Sequence, residues 1–172
     1  STELEVRQAQ DEYIKAWCAL KVLSKVYGFG DPDGFVFNMS VGYDLDGIKG
    51  EKVNSYIDNM MHAENTPQFQ ECLEVLTELF PEEKEFIANI SPRVSRSVTV
   101  STLHGCPPQE IERIASYLLT EKGLHTFVKC NPTILGYKTA RTILDSMGYD
   151  YIVFDGHHFN GDLQWEDAVP MF

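Results

Sequence analysis

The chain has 172 residues, 43% of them hydrophobic and 12% aromatic, which suits one sizeable folded domain and excludes a disordered tract. Its 26 acidic against 14 basic residues give a formal net charge of -12, which repels a phosphate backbone and excludes nucleic acid as a partner. No apolar run approaches the about 20 residues of a membrane span, and no signal-peptide pattern opens the chain.

In chain order, Val6, Ala9, Tyr13, Ala16, Leu20, Leu23 and Tyr27 recur every three or four positions, which predicts a long helix over 3–27. Gly-Asp-Pro turn chemistry breaks it over 28–34. Residues 35–41 predict a first buried strand, closed by Gly42-Tyr-Asp44. A helix over 49–62 follows. Another begins where Thr66 caps and Pro67 takes the first helical position, with Phe69, Leu73, Leu76 and Phe80 as its apolar face. Residues 97–103 predict a second strand. Pro107 and Pro108 open a helix that turns Ile111, Ile114, Ala115, Leu118 and Leu119 inward and ends at Gly123. A third strand is predicted over 125–130. Ala140, Ile143, Leu144 and Met147 mark a short helix ended by Gly148, and a fourth strand is predicted over 151–155. Leu163, Trp165, Ala168, Val169 and Met171 have no evident place of burial.

The second half therefore alternates β-α-β-α-β with short loops, the pattern of parallel strands joined by crossovers. The expected fold is α/β: a partial (β/α) TIM-type barrel of about four parallel strands with helices, preceded by a long N-terminal helix. Residues 1–172 are read as a single domain, a fragment of a larger multidomain protein. Bare strand edges predict self-association of the isolated segment or cover by the long helix. Cys18, Cys72, Cys106 and Cys130 show no C-x-x-C spacing, so the expectation is free thiols in a cytoplasmic protein.

Three apolar strands each end in polar, reactive residues: His104 and Cys106, then Lys129, Cys130 and Asn131, then Asp155, His157 and His158. In parallel neighbours these bursts share the carboxyl edge, where active sites of α/β proteins lie. Cys106 precedes Pro107 at a helix start, which favours a thiolate able to exchange a proton; a plain capping role is the alternative. Lys129 ends an otherwise apolar strand and suits a developing anion; its alternative is an ion pair with Asp155. His104 and one of His157 or His158 are read as proton donors or hydrogen-bond partners. Asn38 and Ser101 sit where strand-end donors would meet a bound group, against packing or turn roles. His-x-Cys and His-His match no familiar ligand spacing, and no metal centre is expected.

Phe37-Asn-Met-Ser-Val-Gly-Tyr-Asp44, Thr102-Leu-His-Gly-Cys-Pro-Pro108, Val128-Lys-Cys-Asn-Pro-Thr133 and Asp162-Leu-Gln-Trp-Glu-Asp-Ala-Val169 together resemble the central part of the YgfK family, labelled selenate reductase subunits. The resemblance implies a segment of a much longer iron–sulfur flavoprotein oxidoreductase. Its barrel is related to dihydroorotate and dihydropyrimidine dehydrogenases, with FAD, NAD(P)H and iron–sulfur clusters in other domains. It further implies FMN in the complete barrel, none held by this segment alone, and the chain's own other domains, a molybdenum enzyme or redox subunits as partners. Lys129, in a Lys-x-x-Pro context with Pro132, matches the dehydrogenases' FMN-contacting lysine, and Cys106 falls where many carry a catalytic cysteine. By this resemblance Cys106, Lys129, His104 and His158 are the catalytic candidates, and Lys129, Asn131, Asn38 and Ser101 the cofactor-binding ones. Ser101-Thr-Leu-His104 replaces the usual Asn-rich strand end. Two other readings stand beside this one: a non-catalytic scaffold barrel docking electron-transfer neighbours, and a metal-dependent hydrolase or lyase using Cys106, His104 and His158.

Overall fold

A computed structural model describes residues 5–101 and 106–172. Their contacts divide into two compact units, one of Ser1–Met39 with Gly47–Ser97, the other of Ser40–Asp46 with Val98–Phe172.

The first unit is mainly helical. Helix α1, Val6–Tyr27, starts at a capping box in which the Glu5 N–H donates to Gln8 Oε1 at 3.0 Å. It stops at Gly28, whose φ of 67° lets its N–H reach the Ser24 carbonyl. Its buried face is Ile14, Trp17, Cys18, Lys21 and Val22. That is a different stripe from the one the periodicity selects: Leu20 and Tyr27 are exposed. The run Ala-Trp-Cys-Ala-Leu-Lys-Val-Leu is apolar almost all round, so spacing alone does not choose its inner face. Packing chooses it. The Trp17 ring meets Phe35 and Phe37 edge to face, and its indole N–H donates to the Ser91 carbonyl at 2.8 Å. Lys21, 5% exposed, lays its ammonium 4.2 Å from the Trp17 ring centroid and 4.5 Å from that of Phe35. There it donates to the Pro32 carbonyl and to Asp33 Oδ1.

Helices α2, Leu45–Lys49, and α3, Glu51–Met61, divide the predicted 49–62 helix at Gly50. Helix α4, Pro67–Leu79, starts as the sequence predicts: Thr66 Oγ1 accepts from the Phe69 N–H at 3.3 Å, with Pro67 at the first position. It buries Phe69 and Leu76. A short α5, Lys84–Ala88, leads on and buries Ile87.

Burial pushes the Cys18 thiol up to about 12 and the Tyr56 hydroxyl up to about 12, from ordinary values of 9.0 and 10.0. Both groups hold their protons more tightly folded than unfolded. Their contribution to stability is complete below pH 9 and is lost as pH rises toward 12. Urea unfolding at a series of pH values is therefore expected to show a steady fall above pH 9, shallower in Cys18→Ala. A flat profile to pH 11 would contradict the burial of both groups.

Three parallel strands, β1 (Phe37–Val41), β2 (Ser95–Val100) and β3 (His125–Val128), pair in that order into an open sheet. In the second unit the Ser101 N–H donates to the Val41 carbonyl at 2.8 Å, and the Lys129 N–H to the Val100 carbonyl at 2.9 Å. In a parallel ladder a carbonyl bonds the N–H one residue beyond its partner. Val41, Val100 and Val128 therefore stand side by side as the last residues of their strands. Gly42, Ser101 and Lys129 form the next row.

After β2, helix α6, Pro108–Ser116, continues through a wider π-type turn, Tyr117–Glu121, and its Ile111, Ile114 and Leu118 are buried. Leu119, expected inward, is exposed, because the wider turn rotates the last residues off the α-helical stripe. Helix α8, Trp165–Met171, gives part of the C-terminal apolar run its place: Leu163 and Ala168 pack with Ile111, flanked by Cys106, Val128, Ile134 and Met171, whereas Trp165 and Val169 stay exposed.

Helix α7, Tyr137–Ser146, forms where the sequence predicts a short helix, although it buries none of its residues and leaves Ile143 and Met147 exposed; one expectation fails after it. The predicted fourth strand is irregular, with Tyr151 72% and Val153 95% exposed. Arg141 accounts for this. Its guanidinium donates to the Ile152 and Tyr149 carbonyls and lies 4.8 Å from the Phe154 ring centroid, so the segment is fastened to α7 rather than paired in the sheet.

Candidate functional site

Successive strand residues point to opposite faces. The Val41, Val100 and Val128 row faces the helices, and the following row, Gly42, Ser101 and Lys129, faces the open side. Gly42 brings the first two chains close: a Cβ there would stand 2.9 Å from the Ser101 carbonyl oxygen. Lys129 is exposed, and among the described residues its ammonium makes no hydrogen bond or ion pair. Asp155, offered as its structural partner, instead accepts the His157 N–H at 2.8 Å. Ser101 and Lys129, from different strands, thus come together at the carboxyl edge.

Asn131 is also at this edge, but its amide donates to Asp162 Oδ2 at 3.3 Å, and Thr133 Oγ1 donates to the same oxygen at 2.5 Å. Asp162 is the organiser that sequence reasoning missed. Its only signal was its place at the head of the Asp-Leu-Gln-Trp motif. Asn38 lies near the amino end of β1, where its Oδ1 accepts from Ser97 Oγ at 2.8 Å and its Nδ2 donates to the Met39 carbonyl. It is a strand-to-strand tie, not a carboxyl-edge donor, because the strand begins at Phe37 and only ends at Val41.

Cys106 is not the helix cap. Pro107 caps α6, and the thiol sits one residue earlier beside the Ile111, Leu163 and Ala168 cluster. Burial pushes it above the ordinary thiol range, and the carboxylates of Glu110 and Asp44 push it further. The thiolate expected from the helix dipole gives way to a held proton. Glu110 itself accepts the Leu45 N–H at 2.9 Å and pairs with Arg113 at 2.9 Å, tying the loop after β1 to α6. The Cys106 cluster includes Val128, whose side chain leaves β3 on the face opposite Lys129. Cys106 and Lys129 therefore belong to different faces of the sheet.

His158 is exposed on a single 3-10 turn, His157–Phe159, its ring 5.9 Å from that of His157. Cys130 is exposed, its thiol 3.8 Å from the Val128 carbonyl. His104 lies outside the described residues. Among the described residues, no three His, Cys, Asp or Glu side chains converge as metal ligands would. No described helix is long and apolar enough to cross a membrane.

Over residues 1–172 the sequence matches the family described as "Oxidoreductase YgfK, N-terminal TIM-barrel domain". It is 43% identical, over 187 aligned positions, to the "Putative oxidoreductase YgfK" of Escherichia coli K12, and equally to that of Escherichia coli O157:H7. Each alignment covers 99% of this chain and 18% of the relative, so the chain spans about a fifth of the length of these curated proteins. No solved structure matches. The matched description moves the segment from the central position expected to the amino-terminal part of the longer protein. With three parallel strands in an open α/β sheet as the part of the barrel it supplies, this chain belongs to the YgfK N-terminal TIM-barrel family.

Proposed function

We propose that this domain belongs to a multidomain, cytoplasmic iron–sulfur flavoprotein oxidoreductase, and that the Gly42, Ser101 and Lys129 row is its contribution to a flavin or substrate site. One observation carries the reading: an exposed ammonium without an acidic partner among the described residues, set beside Ser101 at the carboxyl edge. Arg113 and Arg141 pair with Glu110 and Asp145, whereas Lys129 is set apart by its place at the carboxyl edge beside Ser101. A lysine left open at the edge where barrels bind ligands suits an anion or the electron-rich edge of a reduced flavin.

The residues fit FMN in part. Lys129 and Ser101 offer a cation and a hydroxyl on one face, whereas Asn131 is engaged by Asp162 and Asn38 by Ser97. The phosphate site of such barrels comes from the last two strand–helix loops, and this reading leaves it to the rest of the longer polypeptide. When bound, FMN would supply the electron-accepting ring. Lys129 would balance negative charge there, Ser101 would accept or donate a hydrogen bond, and His104 and His158 keep the orienting roles read from the sequence. Cys106, held protonated, is an acid by chemistry, but its packing with Ile111 and Leu163 supports a structural role, and the reading does not rest on it.

The test is FMN titration, followed by flavin fluorescence, on a polypeptide long enough to complete the barrel. Lys129→Ala is expected to weaken binding at least tenfold without changing the folded state by circular dichroism. Saturable binding that ignores the substitution would remove Lys129 from the site. No binding by a folded protein would favour the scaffold reading, which the exposed Tyr151, Val153 and Trp165 support as surface for neighbouring domains.

A further inference from the structure

Away from the sheet edge, α1 and α4 bring two thiols into contact. Cys18 is fully buried on α1 and Cys72 half-buried on α4, close enough for each thiol to affect the other's proton. A cleft of about 340 Å³ opens beside them, with Lys15 and Ala19 of α1 on one wall and Cys72 and Leu76 of α4 on the other. Cys72 lines that cleft and Cys18 lies behind it. The positions 15, 18 and 19 share one helical face, which places Cys18 against α4 independently of the sulfur contact.

We propose that Cys18 and Cys72 form a dithiol that hydroperoxides convert to a disulfide, with Cys72 attacked first. In the first step Cys72, as thiolate, attacks one peroxide oxygen. The O–O bond breaks, leaving a Cys72 sulfenic acid and a hydroxide, or an alkoxide from an organic hydroperoxide, which takes up the proton the thiol released and leaves as water or alcohol. In the second step the Cys18 sulfur attacks the Cys72 sulfur, the S–O bond breaks, and a second oxygen leaves as water. The two thiols lose two electrons and two protons, and the peroxide is reduced.

The surroundings set the order. Burial, with the carboxylates of Glu71 and Asp11, holds the Cys72 thiol above its ordinary range against the smaller opposing effects of Cys18 and Lys15, so its thiolate is a minor form and attack is slow at neutral pH. Cys18 is fully buried and does not line the cleft, whereas Cys72 does, so a hydroperoxide entering the cleft meets Cys72 first. The bridge would join α1 to α4, and shrinking the unfolded ensemble would raise Tm.

The native chain is incubated with hydrogen peroxide, quenched with an alkylating reagent, digested without reduction and mapped by mass spectrometry. The expected result is a joined Cys18–Cys72 peptide, formed faster by roughly tenfold per pH unit while the attacking thiol remains mainly protonated. Exposed Cys130 reports that oxidant was effective. In Cys18→Ser, Cys72 is expected to stop at a sulfenic or sulfinic acid. Recovery of Cys18 and Cys72 as separately alkylated thiols after Cys130 has been oxidised would overturn the proposal, as would joining of Cys72 to Cys106 or Cys130.

Discussion

Trp17→Ala is expected to lower the free energy of unfolding by about 4 kcal/mol, in the range of other buried large-aromatic truncations. The indole is 4% exposed and is the common neighbour of Phe35, Phe37 and Lys21. Truncation opens a cavity, removes the donor to the Ser91 carbonyl, and takes from the Lys21 ammonium one of the two rings it lies against. The last effect matters most, because a buried ammonium tolerates few losses among its compensating contacts. Trp17→Phe separates the parts: it keeps most of the aromatic packing but leaves the Ser91 carbonyl without its donor, and is expected to cost about 1–2 kcal/mol. Urea denaturation of both variants checks this. A loss below about 1.5 kcal/mol for Trp17→Ala would show that the aromatic box is not a principal source of stability.

The second large effect is expected at Gly42. An added Cβ meets the backbone oxygen of Ser101 at 2.9 Å, and a backbone atom cannot swing aside as a side-chain tip can. Gly42→Val should cost about 1–3 kcal/mol by overpacking and displace the Ser101 and Lys129 row. Gly28 is a contrast of mechanism: at φ 67° with nothing within 4 Å of a built Cβ, its substitution strains the backbone without crowding any neighbour. Amide exchange at Ser101 and Lys129 reports the difference. Faster exchange at both in Gly42→Val, with no such change in Gly28→Ala, is the expected pattern. Unchanged exchange in Gly42→Val would mean that the strands do not depend on this close approach.

The sequence carried the parallel strands and their shared edge, because both follow from local signals: apolar runs, capping by Thr66 and Pro67, and glycines at chain reversals. It left open the register that sets Ser101 beside Lys129: strands read to 103 and 130 end at Val100 and Val128, and only the backbone hydrogen bonds show which residues stand level. It did not carry the inner face of α1, where leucines and alanines compete with Trp17 and Val22 and only the Lys21 box decides. Nor did it carry the fate of residues 151–155. A β-branched, aromatic run reads as a strand whether or not an edge receives it, and the Arg141 that holds it sits on the preceding helix, outside any strand signal. Cys106 lies next to the helix cap, as its place before Pro107 implies, but burial and the carboxylates of Glu110 and Asp44, which leave no local signal, hold its proton in place of a dipole-stabilised thiolate. Asn38 and Asp162 exchanged prominence because hydrogen bonds between side chains distant in sequence leave no periodic trace.

Arg141 has a consequence for synthesis. A domain at the amino end of a long polypeptide leaves the ribosome well before its remaining partners, at about 5–20 residues per second. During that interval an apolar run such as Tyr151-Ile-Val-Phe154 is exposed to the same run on neighbouring nascent chains, where edge-to-edge pairing begins aggregates. The guanidinium already occupies the Tyr149 and Ile152 carbonyls, two of the acceptors an incoming strand would need. By keeping the run bent and two of its acceptors engaged, Arg141 disfavours such pairing.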